Sequence, residues 1–138
     1  MDPFLHLRMS HGEKMSAIDS ERATHRRTAF WQTVRRFFER YDLLVTPTTS
    51  VAAFSIGVSY PTEIDGRAID NQLQWFPFTF PFSITGQPAI TVPCGFTAEG
   101  LPVGLQIVGK RFADATVLRA AAAFEAAQPW AARRPSLH

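Results

Sequence analysis

The residues able to do chemistry in this chain are few and widely spread. Gly104-Leu105-Gln106-Ile107-Val108-Gly109-Lys110 has the Gly-x4-Gly-Lys spacing of a phosphate-binding loop. That chemistry needs a flexible loop whose N–H groups face phosphate, followed by a Ser or Thr hydroxyl for Mg²⁺. Here the spacer alternates like a strand and Arg111 takes the place of the hydroxyl, so the match is a decoy. The four histidines, His6, His11, His25 and His138, show no His-x3-His pairing, and the single cysteine rules out Cys-x2-Cys, so neither a metal nor another cofactor is expected. Cys94, a possible nucleophile, follows an apolar strand and a proline with no base nearby, and is expected to be a buried, inert thiol. Trp75, Phe76 and Phe78 belong to an aromatic run, 75–82, that suits either the wall of an apolar pocket or core packing.

The elements that must position these residues follow from pattern. Ser16-Ala17-Ile18-Asp19 forms a capping box, and Phe30, Val34, Phe37, Phe38 and Tyr41 form one apolar stripe, predicting a helix over 17–40. Its other face carries Arg22, Arg26, Arg27, Arg35, Arg36 and Arg40 among Asp19, Glu21 and Glu39. Such a face suits RNA, an acidic partner or plain solvent, and the interleaved acids favour solvent. Residues 42–46, ended by Pro47, read as a short buried strand. Prolines and glycines at 61, 66, 77, 81, 86 and 88 exclude a continuous helix over 48–88. Residues 89–92 and 103–108 read as strands joined through Glu99-Gly100, the second with Val103, Leu105 and Ile107 on one apolar face. A last helix is expected from Asp114 as N-cap, with Val117, Ala121 and Phe124 on one side and Pro129 as its stop. Residues 1–15 read as a tail or connector, and the element order is α/β or α+β.

Composition narrows the class. The 138 residues are 46% hydrophobic and 19% charged, which excludes a wholly disordered chain. Fourteen Lys and Arg against 12 Asp and Glu leave a net charge of +2, too small to argue for nucleic acid. No apolar run approaches the ~20 residues of a membrane span, and the N-terminus lacks the pattern of a signal peptide. One cysteine excludes an internal disulfide and fits a reducing compartment, so a cytoplasmic protein is expected.

Two segments, Tyr41-Asp42-Leu43-Leu44-Val45-Thr46-Pro47-Thr48 and Phe82-Ser83-Ile84-Thr85-Gly86-Gln87-Pro88-Ala89-Ile90-Thr91-Val92-Pro93-Cys94-Gly95-Phe96, the latter running on through Gly100-Leu101-Pro102 to Gly109, are specific together. The chain resembles the C-terminal part of an amidase signature family enzyme over about residues 12–135. The resemblance implies an α/β fold with a mixed sheet flanked by helices, residues 16–138 being an incomplete amidase domain. It implies hydrolysis of carboxamides to a carboxylate plus ammonia or an amine, by a nucleophilic Ser, a second Ser held through a cis peptide, and a Lys. Those residues belong to the N-terminal half of family members. This chain has only Lys14 and Lys110 and no glycine-rich serine turn, so no catalytic residue is assigned and the chain is expected to be inactive alone. Whether it derives from an internal start, a split gene or a truncated one stays open.

What the resemblance leaves to this chain is scaffold and one wall of the acyl pocket, with Trp75, Phe76, Phe78 and Ser83 as candidate substrate-binding residues. Ser83 stands where family members usually carry Asn. Members that use glutamine to amidate tRNA carry an acid a few positions upstream of the Thr-x-Pro segment. Here the nearest is Asp70, and an apolar wall suits a hydrophobic or aryl amide. The expected partner is an N-terminal amidase half or a second copy of the chain. The alternative is a non-catalytic interaction module that retains the amidase-derived fold.

Overall fold

The computed structural model describes residues 9, 10 and 12–133. Helix α1, Ala17–Arg40, starts where Ser16 Oγ accepts from the Asp19 N–H at 3.1 Å, and its Oγ–H donates to the Asp19 carboxylate at 2.6 Å. Twenty-four residues span about 36 Å. Of the predicted stripe, Val34 and Phe38 are buried, Phe37 is half-buried, and Phe30 and Tyr41 are exposed.

Strand β1 (Leu43–Pro47) leads into the irregular region, which holds a small hairpin of β2 (Glu63–Ile64) and β3 (Arg67–Ala68). A 3-10 turn, Gln72–Trp75, follows, capped by Asn71 Oδ1 accepting from the Leu73 N–H. A short helix α2, Phe80–Thr85, then forms in the proline-rich stretch, with proline in its first turn, where no intrahelical N–H is needed. Gly86 ends α2 at φ +74°, a left-handed conformation suited to glycine. Strands β4 (Ala89–Phe96) and β5 (Pro102–Gly109) form an antiparallel hairpin, and α3 (Asp114–Ala127) closes the described fold.

The sheet order is β1-β5-β4, with every pairing among the described residues antiparallel. Leu44 opposite Val108, and Ala89 opposite Val108, set one face towards α1 and α2, where Val34, Phe38, Phe82 and Val108 cluster. The other face carries Ile107 and Val92 and packs on Ala121 of α3. The chain is therefore three layers deep, with two small cores separated by the sheet.

Four local expectations change. Strand β1 pairs only with β5, so it is an edge strand rather than a buried one, and Val45 is 52% exposed. In β5, burial runs along the strand instead of selecting one face. Gln106, Ile107, Val108 and Gly109 are all buried, whereas Val103 is exposed beyond the helices that cover the sheet. Asp114 lies inside the first turn of α3; Ala113 holds the N-cap position with no side-chain cap. Cys94 is half-buried rather than buried, at a bulge between Pro93 and Gly95.

Candidate functional site

Strand register assembles a polar strip on the α1/α2 side of the sheet. Thr46 and Thr91 both pair with Gln106, so the three stand side by side across all three strands. Gln106 is buried, and its Nε2 donates to Thr46 Oγ1 at 3.0 Å and to the Phe78 carbonyl at 2.6 Å. One step along the strip, Thr48 Oγ1 donates to Thr91 Oγ1 at 3.3 Å, and the Thr48 N–H donates to the Gly104 carbonyl at 3.0 Å. Glycine is required there by space: a Cβ on Gly104 would stand 2.8 Å from both Thr48 Oγ1 and Thr91 Cγ2.

The aromatic segment is tied at both ends, to the strip and to the loop that follows β1. Phe78 is held by Gln106, and the Ser50 N–H donates to the Trp75 carbonyl at 3.2 Å. Just past Phe78, Thr79 donates through its N–H and Oγ1 to the Phe76 carbonyl. Trp75 meets Phe54 and Phe76 edge-on, at 5.3 and 5.2 Å between centroids, and Phe76 meets Phe80 at 6.4 Å. Trp75, Phe76 and Phe78 are all half-buried, and the Trp75 Nε1–H is buried without a partner. The arrangement is an aromatic wall beside a floor of hydroxyl and amide groups.

Ser83 lies elsewhere. It is exposed on α2 and lines a separate cavity of about 330 Å³ with Arg27, Thr28, Trp31 and Arg111. The fold thus groups Trp75, Phe76 and Phe78, and sets Ser83 apart. Gln106 and the threonines were missed from sequence, although an amide inside an otherwise apolar strand was a usable signal. The aromatic run is also less of a surface patch than its composition suggests. Phe82 is in the core, and among the described residues the most exposed large apolar side chains are Ile56, Phe112, Ile18 and Leu118.

Residues 104–109 of the apparent phosphate loop are strand, with N–H groups committed to neighbouring strands, and Lys110 is exposed. Cys94 Sγ lies 3.5 Å from the Val103 carbonyl, in the position of a donor. His25 pairs with Glu21 at 2.9 Å on the exposed face of α1. His6, His11 and His138 lie outside the described residues. Among the described residues no helix is long and apolar enough to cross a membrane.

A family profile described as Amidase matches residues 2–118. The chain belongs to the amidase family. An acylamidase of Rhodococcus erythropolis is 42% identical over 136 residues, covering 99% of this chain and 28% of that relative. A component of the glutamyl-tRNA(Gln) amidotransferase of Dehalococcoides mccartyi is 44% identical over 111 residues, covering 80% of this chain and 21% of the relative. Among solved structures, a bacterial aryl acylamidase of the amidase signature family superposes with a TM-score of 0.82 at 32% identity, over 98% of this chain and 29% of that one. A 6-aminohexanoate cyclic dimer hydrolase gives 0.77 at 34% identity over 90% and 27%. The chain spans under a third of the length of these amidases and corresponds to their C-terminal part.

Proposed function

We propose that residues 16–138 are the C-terminal portion of an amidase domain. They supply scaffold and one pocket wall for hydrolysis of a carboxamide to a carboxylate plus ammonia or an amine. The observation that carries this reading is the double tie of Trp75 and Phe78 to Ser50 and Gln106, which holds the aromatic wall against a polar sheet floor. In the complete site this wall takes the apolar acyl or aryl group. The nucleophilic Ser, its partner Ser and the Lys come from an N-terminal half, so the chain alone performs no turnover. An aryl or other apolar amide fits the wall better than glutamine does, because residues 71–88 contain no acid to hold the substrate's amino group. The aryl acylamidase among the solved structures points the same way.

The test is co-expression with an N-terminal amidase segment carrying the Lys and both serines, followed by turnover of aryl amides. The pair is expected to hydrolyse them and the chain alone is not. Turnover by the chain alone, or a stable pair without turnover, would refute the reading. A homodimer through the free edges of β1 and β4 is the expected state of the isolated chain, since unpaired strand edges recruit another strand.

A further inference from the structure

The first half of α1 touches almost nothing. Every residue from Ala17 to Phe30 is exposed, whereas Val34 and Phe38 in the second half anchor the helix to the sheet. A helical stretch of about 14 residues is marginal in water without tertiary packing. Against α2 it leaves a groove of about 520 Å³, lined by Met15, Ala23, Phe30 and Ile84 together with Arg22, Arg26 and Arg27. Past Arg27 and Ile84 the groove continues into the cavity that holds Arg111. Among the described residues the only acid lining either part is Asp19, which already engages Ser16 and Arg22. Arg26, Arg27 and Arg111 take part in none of the ion pairs among the described residues.

We propose that this groove docks the N-terminal part of an amidase polypeptide, through a segment presenting apolar side chains flanked by carboxylates. The proposal rests on the reading that the chain works joined to such a part. Two observations choose the occupant. Most of the length of the relatives lies outside the matched region, so a partner of ample size is missing from this fold. The lining combines cationic with apolar side chains, a set that complements an acidic amphipathic segment rather than a wholly polar one. Burial of the groove would also provide the packing that α1 lacks over 17–30.

The experiment uses the full chain and, as probe, the part of the Rhodococcus erythropolis acylamidase that precedes the region matched here. Binding is followed by titration, and backbone amides by hydrogen exchange. In the free chain, amides of 17–30 should exchange on the order of tenfold faster than those of 31–38. Binding should protect them. Ile84→Glu and the Arg27→Glu/Arg111→Glu pair should each weaken binding on the order of tenfold, and Glu125→Gln on exposed α3 should leave it unchanged. These positions are exposed, so circular dichroism should report an intact fold for every variant. Binding that leaves 17–30 unprotected and ignores the groove variants would overturn the docking site while the fragment reading stands. Self-association that protects 17–30 without the probe would give the groove to a second copy and overturn the assignment. Absence of both binding and reconstituted turnover would bring down the fragment reading, and this proposal with it.

Discussion

Gln106 Nε2 donates to the Phe78 carbonyl oxygen at 2.6 Å, joining the central strand to a segment 28 residues earlier in the chain. The same amide group donates to Thr46 on the edge strand, so one buried side chain holds three parts of the fold together. Gln106→Leu should therefore cost about 1–3 kcal/mol, since it removes the donor from two acceptors. Gln106→Glu should cost more at neutral pH, because it aims a carboxylate at a carbonyl in a buried place. Burial raises the pKa of such a group, so this variant should regain stability as pH falls and the protonated carboxyl can donate. Urea unfolding of both variants at two pH values is the check.

Gly109 sits where β5 passes under α3. A Cβ there would fall well inside van der Waals contact of Val117 Cγ2. Val117 is buried and, being β-branched on a helix, has little rotamer freedom to withdraw. Gly109→Ala should destabilise the chain by about 1–3 kcal/mol. A double-mutant cycle with Val117→Ala should show a coupling of about 0.5–3 kcal/mol, which a merely additive pair would lack.

In the β4–β5 turn, the Glu99 carboxylate is held below its usual range, first by the Thr97 hydroxyl and then by its own backbone N–H. A lowered folded value means that the stabilising contribution is present above the ordinary carboxylate range. It is lost as pH falls through the folded value. Thr97→Val should move the Glu99 midpoint upward, as read by carboxyl NMR titration. An unchanged midpoint would show that Thr97 is not the principal cause.

In a reconstituted amidase pair, Phe76→Asp should lower kcat/KM for apolar amides on the order of tenfold, because it sets a carboxylate in an aromatic wall. Lys110→Ala should leave turnover unchanged, since Lys110 is exposed at the end of β5. Steady-state kinetics on one aryl amide decide both. Loss of activity in Lys110→Ala with no effect of Phe76→Asp would reverse the two assignments.

Ser16→Ala removes the acceptor of the Asp19 N–H. Capping losses run to about 0.5–2 kcal/mol, but here the first turns of α1 are unpacked. The change should thus appear as faster hydrogen exchange over 17–24 with little shift in the global unfolding midpoint.

Much of this protein was determined by local rules. Helix α1 has the bounds that the Ser16 cap and the apolar stripe predict, because capping and a 3.6-residue period are properties of neighbouring residues. The strand character of 103–108 followed from alternation alone and excluded a phosphate loop. The amidase resemblance rested on contiguous motifs and was equally legible. The tertiary structure decided what depends on contacts between distant segments. Register set Thr46, Gln106 and Thr91 in one row, and no spacing within a single strand reveals that neighbour. The tie from Gln106 to Phe78 separated the aromatic wall from Ser83, though the two lie close in sequence. Burial along β5 followed from how far α1, α2 and α3 reach over the sheet, so alternation correctly predicted a strand but not which of its ends is covered. A side chain's neighbours across a sheet depend on the whole path of the chain, and its own sequence context carries only the local part of that path.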